Sequence, residues 1–402
     1  MLAPLHNRVA DKIADKIIVK AVQRFYFDHN ATTPVSPEVL DAILPVMTEV
    51  YGNASSIHHF GQTARKMLDA ARKQVAGMLG AEPQEIIFTS GGTEADNLAI
   101  FGVGSRRGCH VVTTTFEHPA VLGAAGQLDH TLVPVNGSGI VDPDAIRRAL
   151  RPETKVISVM HANNELGTIQ PIAEIARIAA EAGVALHSDG VQSAGKIPVN
   201  VAELGVGLYT ISGHKIGAPK GVGALYVRKG IALKPMMFGG RHERERRAGT
   251  ENVAGIVALG RAAESALEQM GEHADAENRR QGALRDHLEQ SILDRIPDTR
   301  VNGAGSPRVP NTTNIRFDGI DSDALLIALD LKGFAVSSGA ACSSGAPEPS
   351  HVLLAMGLSR LEARSSIRFS LGRSNTIGQV DALVEALVDS VAHLRKLAPA
   401  YA

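Results

Sequence analysis

From about Arg24 onward, short β-branched or aromatic runs alternate with stretches whose apolar residues recur at helical spacing, and this rhythm limits the fold more than any other feature. The strand candidates are RFYFD (Arg24 to Asp28), EIIFT (Glu85 to Thr89), HVVTT (His110 to Thr114), TLVPV (Thr131 to Val135) and KVISVMH (Lys155 to His161). ALHSD (Ala185 to Asp189), LYTIS (Leu208 to Ser212) and GALYVR (Gly223 to Arg228) follow. Between them, Ala64, Leu68, Ala71, Val75 and Leu79 fall on one helical face, as do Ile172, Ile175, Ala176 and Ala179. Such alternation predicts an α/β architecture, with a mainly parallel sheet covered by helices on both faces.

After Thr250 the rhythm changes. One long helical stretch, Glu251 to Ile296, is predicted to bridge two domains. Beyond it, NTTNIRF, the helix DALLIALDLKG, the strand FAVSSG, a Gly/Ser/Pro-rich loop, the strand SSIRFSLG and a C-terminal amphipathic helix read as a smaller α+β unit. We therefore expect a large domain over 25–276 and a small domain over 277–402. Residues 1–24 mix Lys and Arg with Asp11 and Asp15 and lack a long apolar core, which argues against a secretory signal. They read as an accessory helix or arm that packs on the small domain.

Composition narrows the function. The 402 residues carry Lys+Arg 41 against Asp+Glu 42, a formal net charge of -1, so no global field would hold a nucleic acid or a membrane surface. No apolar run reaches the roughly 18 residues of a transmembrane helix. The two cysteines, Cys109 and Cys342, build neither a disulfide framework nor a zinc site, and a reducing, cytoplasmic setting fits them. No metal site is expected.

In a doubly wound sheet, ligands collect outside the carboxyl ends of the strands. SGGTEADN (Ser90 to Asn97) follows a strand and opens a helix. Gly92 and Thr93 there make either a phosphate cradle or an ordinary helix cap. His118 in FEHPAV, Asn163 and Asn164 in HANNELG, Asp189 and Gln192 in HSDGVQS, and Ser212, His214 and Lys215 in SGHK all follow strands too. Singly they are caps and surface charges; together they converge on one crevice. A lysine, a buried carboxylate, a planar ring and a phosphate cradle suit pyridoxal 5′-phosphate, with a nucleotide as the other ligand class.

Three further features stand apart. Cys342 lies in VSSGAACSSGAPEPSH, a loop of small residues that buries a thiol poorly, so it is either reactive or an inert thiol. Arg368 alternates with Ile367 and Phe369 on a strand, which suits a grip on a carboxylate or a surface ion pair. GGRHERERRAGT balances bases against acids and reads as a solvated or subunit-contacting loop, while Cys109, beside an apolar strand, reads as packing.

DHNATTPV, SGGTEADNLAI, EHPAV, HANNELGTIQP, HSDGVQSAGKIP, SGHKIGAPKGVGALYVR, RRAGTENV, SSGAACSSGAPEPSHVL and SSIRFSLGR resemble, in order, the cysteine desulfurases of the NifS/IscS group. The resemblance runs from about Tyr26 to the C-terminal helix. It implies a homodimeric enzyme of the aspartate aminotransferase-like fold (pyridoxal-phosphate fold type I, class V aminotransferases), with a seven-stranded sheet in the large domain. Lys215 would then form the imine with the cofactor aldehyde and move protons, and Asp189 would pair with the pyridinium nitrogen. Gln192 and Asn164 would serve the ring hydroxyl, and His118 would stack on the ring. Gly92, Thr93, Ser212 and His214 would hold the phosphate, joined by Thr250 of the other subunit. Arg368, with Asn164, would bind the substrate carboxylate.

Cys342 would be the nucleophile that takes sulfur from L-cysteine as a persulfide, leaving L-alanine, and an iron-sulfur scaffold protein of the IscU/NifU type would receive it. Gly217 and Ala218, where many members carry a larger residue and a glycine, predict a looser turn after Lys215. A selenocysteine lyase of the same fold and a catalytically silent sulfur-transfer scaffold are the alternatives. The retained Cys342 speaks against the first, and the intact set of Lys215, Asp189, His118, Cys342 and Arg368 against the second.

Overall fold

In the computed structural model, which describes residues 23–104, 108–270, 274–339 and 348–397, the alternation becomes a seven-stranded sheet. After β1 (Phe25–Tyr26), its strands are β2 (Ile86–Thr89), β3 (His110–Thr114), β4 (Asp129–Val133), β5 (Thr154–Ser158), β6 (Ala185–Asp189), β7 (Leu208–Ser212) and β8 (Gly223–Val227). Their order is β2-β8-β7-β6-β5-β3-β4, and only β8 runs against the others. β2, β3, β7 and β8 are buried along their whole length, as continuous apolar strands covered on both faces must be.

The direction of the strands decides where chemistry can gather. β2, β3, β5, β6 and β7 end on one edge, so the residues after Thr89, Thr114, Ser158, Asp189 and Ser212 meet there. β8 returns antiparallel beside β7, so the short segment Gly213 to Val222 never leaves that edge. Lys215 sits in it.

The predicted helical stretch after Thr250 is two helices, Val253–Met270 and Ala274–Arg295. The first packs Ile256, Leu259, Ala262 and Ala263 into the core of the seven-stranded sheet. It approaches the helix His59–Leu79 so closely that a Cβ on Gly260 would lie 2.7 Å from Ala71 Cβ. The second helix packs Leu284, Leu288 and Ile292 into a separate core. There β9 (Thr299–Val301), β10 (Thr312–Phe317) and β12 (Ser366–Ser370) form an antiparallel sheet in the order β12-β10-β9. The C-terminal helix Ile377–Leu397 closes this core with Val380, Leu383, Val384, Leu387 and Val391.

β1 joins the second core, not the first. It pairs in parallel with β11 (Phe334–Ala335), and Phe27 is buried beside Phe334 and Phe369. The arm or helix expected at the N-terminus falls on 1–22, and Cys342 with its loop falls on 340–347; both lie outside the described residues. Cys109 is buried, as packing requires. No helix among the described residues is long and apolar enough to cross a membrane.

The Arg/Glu-rich loop departs from the solvated reading at one point. Glu243 is 7% exposed and takes a two-pronged ion pair from Arg72, at 2.6 and 2.8 Å, plus the Phe88 amide at 3.0 Å. Arg72 also lies over the Phe88 ring, 4.5 Å from its centroid. Glu243, Arg244 and Glu245 adopt φ of 44°, 57° and 64°, left-handed backbone that non-glycine residues hold only under outside constraint. The charge pattern alone could not locate Arg72, far away in sequence.

Candidate active site

β7 ends at Ser212, and Gly213 to Lys215 wind one 3₁₀ turn. The turn is tied down, not loosened. Gly213 N donates to Val222 O at 3.0 Å, Gly217 N to Thr33 Oγ1 at 3.0 Å and Ser36 N to Gly217 O at 3.0 Å. Gly217 adopts φ of 91°, which favours glycine there. Lys215 Nζ donates to the backbone oxygens of Asn30 at 2.5 Å and Ala31 at 2.8 Å.

Around this amine lies a cavity of about 370 Å³, lined by Asp189, His118, Asn164, Gln192, Ser212 and Arg368 among others. Asp189 is 5% exposed and receives the Val191 amide at 2.9 Å. Burial raises its pKa, while His118 and Lys215 pull it back down. His118 caps the helix Pro119–Ala125 by accepting the Ala120 amide on Nδ1 at 3.1 Å, so that nitrogen carries no proton. Burial lowers the His118 pKa, opposed by Asp189 and aided by Lys215 and His351. The ring is therefore a neutral imidazole whose proton sits on Nε2.

At the start of the helix Gly92–Gly104, Gly92 and Thr93 share a groove with Ser212, His214 and Lys220. Free backbone N–H groups and the helix dipole favour an anion there. A Cβ on Gly92 would meet Val191 Cγ2 at 3.0 Å, so the glycine keeps the cradle open. Glu94 also lines the groove, with its carboxylate held by Ser90 N at 2.8 Å and Arg247 Nε at 2.8 Å. His214 hydrogen-bonds Thr32 Oγ1 at 3.1 Å, and burial holds its pKa at about 4.

Arg368 on β12 reaches the cavity from the second core. Its guanidinium donates to Asp28 Oδ1 at 2.6 Å and to Asn164 O at 3.0 Å. The residue is 3% exposed and Nε has no hydrogen-bond partner among the described residues. Gln192 lines the cavity, and its Nε2 donates to Asn30 O at 3.0 Å while its Oε1 accepts from Lys196 Nζ at 2.5 Å, leaving one N–H uncommitted among the described residues. Asn163 is structural, with Oδ1 accepting the amides of Glu165 and Leu166. Thr250 does not reach this cavity within its own chain; it is exposed and faces a depression shared with Ser90, Gly221 and Arg247.

Four residues escaped the sequence reasoning. Asn30 binds both lysines, taking Lys196 Nζ on Oδ1 at 2.7 Å as well as Lys215 on its carbonyl. Lys196 is half-buried, and desolvation of its amine pushes its pKa well below the usual lysine range. Asp28 orients Arg368, and Asp96 enters the cavity wall from inside a helix. All four depend on contacts between distant segments. Each lies inside a quoted motif, Asp28 and Asn30 in DHNATTPV, Asp96 in SGGTEADNLAI and Lys196 in HSDGVQSAGKIP, but the motifs alone gave them no role.

The donor set fits pyridoxal 5′-phosphate. An amine, a buried carboxylate, a neutral imidazole and an anion-binding helix terminus surround one space of the size small cofactors occupy. Lys215, Asp189, His118 and the Gly92 to Thr93 cradle are the residues that would hold it.

The sequence matches the family described as aminotransferase class-V over residues 25–383, and the chain belongs to that family. Within it the chain resembles the cysteine desulfurases. It is 49% identical over 381 residues to "Cysteine desulfurase" of Trichormus azollae, covering 93% of this chain and 94% of that one. It is 46% identical over 403 residues to "Cysteine desulfurase IscS" of Methanosarcina thermophila, covering 98% and 97%. Among solved structures, a "NIFS-LIKE PROTEIN" superposes with a TM-score of 0.85 at 35% identity, covering 92% of this chain and all of that chain. The seven-stranded α/β fold is that of these NifS-like proteins.

Proposed function

We propose that this enzyme is a pyridoxal-phosphate-dependent cysteine desulfurase that turns L-cysteine into L-alanine and passes the sulfur to Cys342. The observation that carries the reading is the meeting of Lys215, Asp189, His118 and Arg368 around one cavity, in a chain so similar to cysteine desulfurases. When bound, the cofactor supplies an electron sink for the substrate's α-carbon.

The chain's residues supply the rest. Arg368, steadied by Asp28, binds the α-carboxylate of L-cysteine with its remaining donor capacity. Asp189 keeps a negative charge where the pyridine nitrogen must hold a proton. Lys215 Nζ, freed from its two backbone acceptors, takes the α-proton and later returns one. His118 Nε2 presents a second movable proton. The thiolate of Cys342 attacks the substrate sulfur, the carbon-sulfur bond breaks, and an enzyme persulfide and alanine result.

The partner surfaces follow from exposure. On the helix Pro37–Thr48, Val39, Ile43 and Val46 are buried while Leu40, Leu44 and Met47 stand exposed along the opposite face, continued by Tyr51, Ile57 and Phe60. An apolar strip of this kind supports a homodimer. In such a dimer Thr250 serves the phosphate of the partner's site. A scaffold protein for iron-sulfur clusters is the sulfur acceptor, and the cytoplasm, which keeps a thiol reduced, is the setting.

The test is a product assay. Purified enzyme given L-cysteine should release alanine and carry sulfane sulfur, and Cys342→Ala should lose the sulfur while still binding the cofactor. Undiminished sulfide release by Cys342→Ala would remove the persulfide step. Rapid turnover of L-selenocysteine with none of L-cysteine would favour the lyase.

A further inference from the structure

The wall of the cavity holds two buried carboxylates, and the proposed function uses one. Asp189 ends β6; Asp96 lies inside the helix Gly92–Gly104 and is 1% exposed. One oxygen from each, together with a ring nitrogen of His118, all lie within 4.8 Å of one another. Two anions so close, in a space shielded from water, strongly oppose each other's ionisation.

Their surroundings separate them. Asp189 receives a backbone amide and faces the cationic Lys215 and the His118 ring. Asp96 receives the Thr210 hydroxyl, but the charged neighbours acting on it are Asp189 and Glu117, both acids. Its Oδ1 has no hydrogen-bond partner among the described residues.

His187 comes within 3.5 Å of that oxygen, yet both its nitrogens are committed. Nε2 pairs with Thr210 Oγ1 at 3.0 Å and Nδ1 with Ser158 Oγ at 2.8 Å. Burial holds the His187 pKa at about 3, so the ring is neutral and shares a single proton among these contacts. Since Thr210 donates to Asp96, it accepts from His187, and Ser158 donates to the other ring nitrogen. The donors run one way, from Ser158 through His187 and Thr210 to Asp96. The Nε2 proton, the part of this relay that comes nearest Asp96 Oδ1, is held by the closer Thr210 Oγ1, so among the described residues Oδ1 is left without a donor.

We propose that Asp96 is a positioning residue that works protonated, with its Oδ1 proton turned towards Asp189, so that this wall carries one negative charge and that charge stays on Asp189. A second anion would compete with Asp189 for the proton of a pyridine ring; a neutral acid instead gives Asp189 a donor and fixes its direction. Burial raises the pKa of both acids, but only Asp189 has the Lys215 cation and the His118 ring acting to lower it again. The role rests on the function proposed above, in which Asp189 serves the cofactor.

Infrared difference spectroscopy of the wild type against Asp96→Asn tests it, on protein with and without pyridoxal phosphate. Glu117 and other buried acids cancel in the difference. Near neutral pH the wild type should show the carbonyl stretch of a protonated carboxylic acid, shifted by deuterium exchange and missing in Asp96→Asn. Cofactor affinity is the second readout: Asp96→Ala should weaken it about tenfold or more, and the neutral, hydrogen-bonding Asp96→Asn should restore it to within about twofold. A difference spectrum with only carboxylate bands at residue 96 would overturn the proposal, as would an Asp96→Asn variant that binds as poorly as Asp96→Ala. Should Asp96→Ala fail to fold, the infrared comparison decides alone. A wild type that binds no pyridoxal phosphate would defeat the functional reading, while the spectrum of the cofactor-free protein would still decide the protonation of Asp96.

Discussion

Arg368 shows how a side chain can be partly satisfied and still available. One guanidinium nitrogen is fixed by Asp28, another by a backbone oxygen, and Nε is buried without a partner among the described residues. A lysine cannot reproduce this fork. Arg368→Lys should therefore raise the KM for L-cysteine about tenfold or more, the worth of a charge-assisted hydrogen bond, with a smaller change in kcat. Steady-state kinetics would show it, and an unchanged KM would remove Arg368 from carboxylate binding.

Buried titrating groups set a pH optimum for stability. His29, His161 and His214 fold with pKa values of about 4, against 6.5 for a free imidazole, because burial disfavours their charged forms. The unfolded chain binds more protons across that window, so stability falls as pH drops from about 6.5 towards 4. Glu117 acts in the opposite sense. Burial lifts it to about 8, so the unfolded chain loses its proton first, and stability falls as pH rises from about 4.5 to 8. Urea titrations should find a maximum near pH 6.5, and Glu117→Gln should flatten the alkaline limb. A profile that climbs steadily to pH 8 would contradict the Glu117 assignment, and one that stays level from pH 6.5 down to 4 would contradict the histidines.

Much of the site was legible at this scale. Lys215, Asp189, Ser212 and Asn164 could be placed because each follows a strand, and parallel strands deliver their ends to one edge. Asp96, Lys196 and Asn30 could not. A charged residue inside a helix, or four residues past a cavity residue, reads as a solvated face, and only the folded chain shows Asp96 buried and Lys196 turned to Asn30 and Gln192.

At the scale of elements, seven of the strand runs lie within a residue or two of where β-branched and aromatic clustering puts them. The stretch from Glu251 to Ile296 reads as one unit because its Ala/Glu/Arg character runs through both of the helices that carry it, Val253–Met270 and Ala274–Arg295. The Arg/Glu loop carries the clearest energetic consequence. Arg72→Ala would leave Glu243 buried without its ion pair, which should cost about 3–5 kcal/mol in chemical denaturation. Arg72→Met with Glu243→Gln removes both charges and should cost less than the single change. If the single variant proved as stable as the wild type, the pair would not be what holds this loop in its left-handed backbone.

The whole molecule joins two cores at one cavity, with β1 and Arg368 on the side of the second core and Lys215 on the first. Thr250 is the residue that a single chain leaves out, and a second chain is what the proposed function supplies. Mixing Lys215→Ala and Thr250→Ala protomers should give heterodimers with one site that holds both wild-type groups, and activity above either parent. No complementation would count against Thr250 crossing between subunits.

The central claim is that Lys215 is the amine that captures the cofactor, and a second amine nearby makes it sharply testable. Lys196 lies half-buried beside the same Asn30, and desolvation favours its reactive, uncharged form. Loading the protein with pyridoxal phosphate, trapping with borohydride and mapping the modified peptide by mass spectrometry separates the two. The label should fall on Lys215 and disappear in Lys215→Ala; a label on Lys196, or none on either lysine in a folded preparation, would contradict the account.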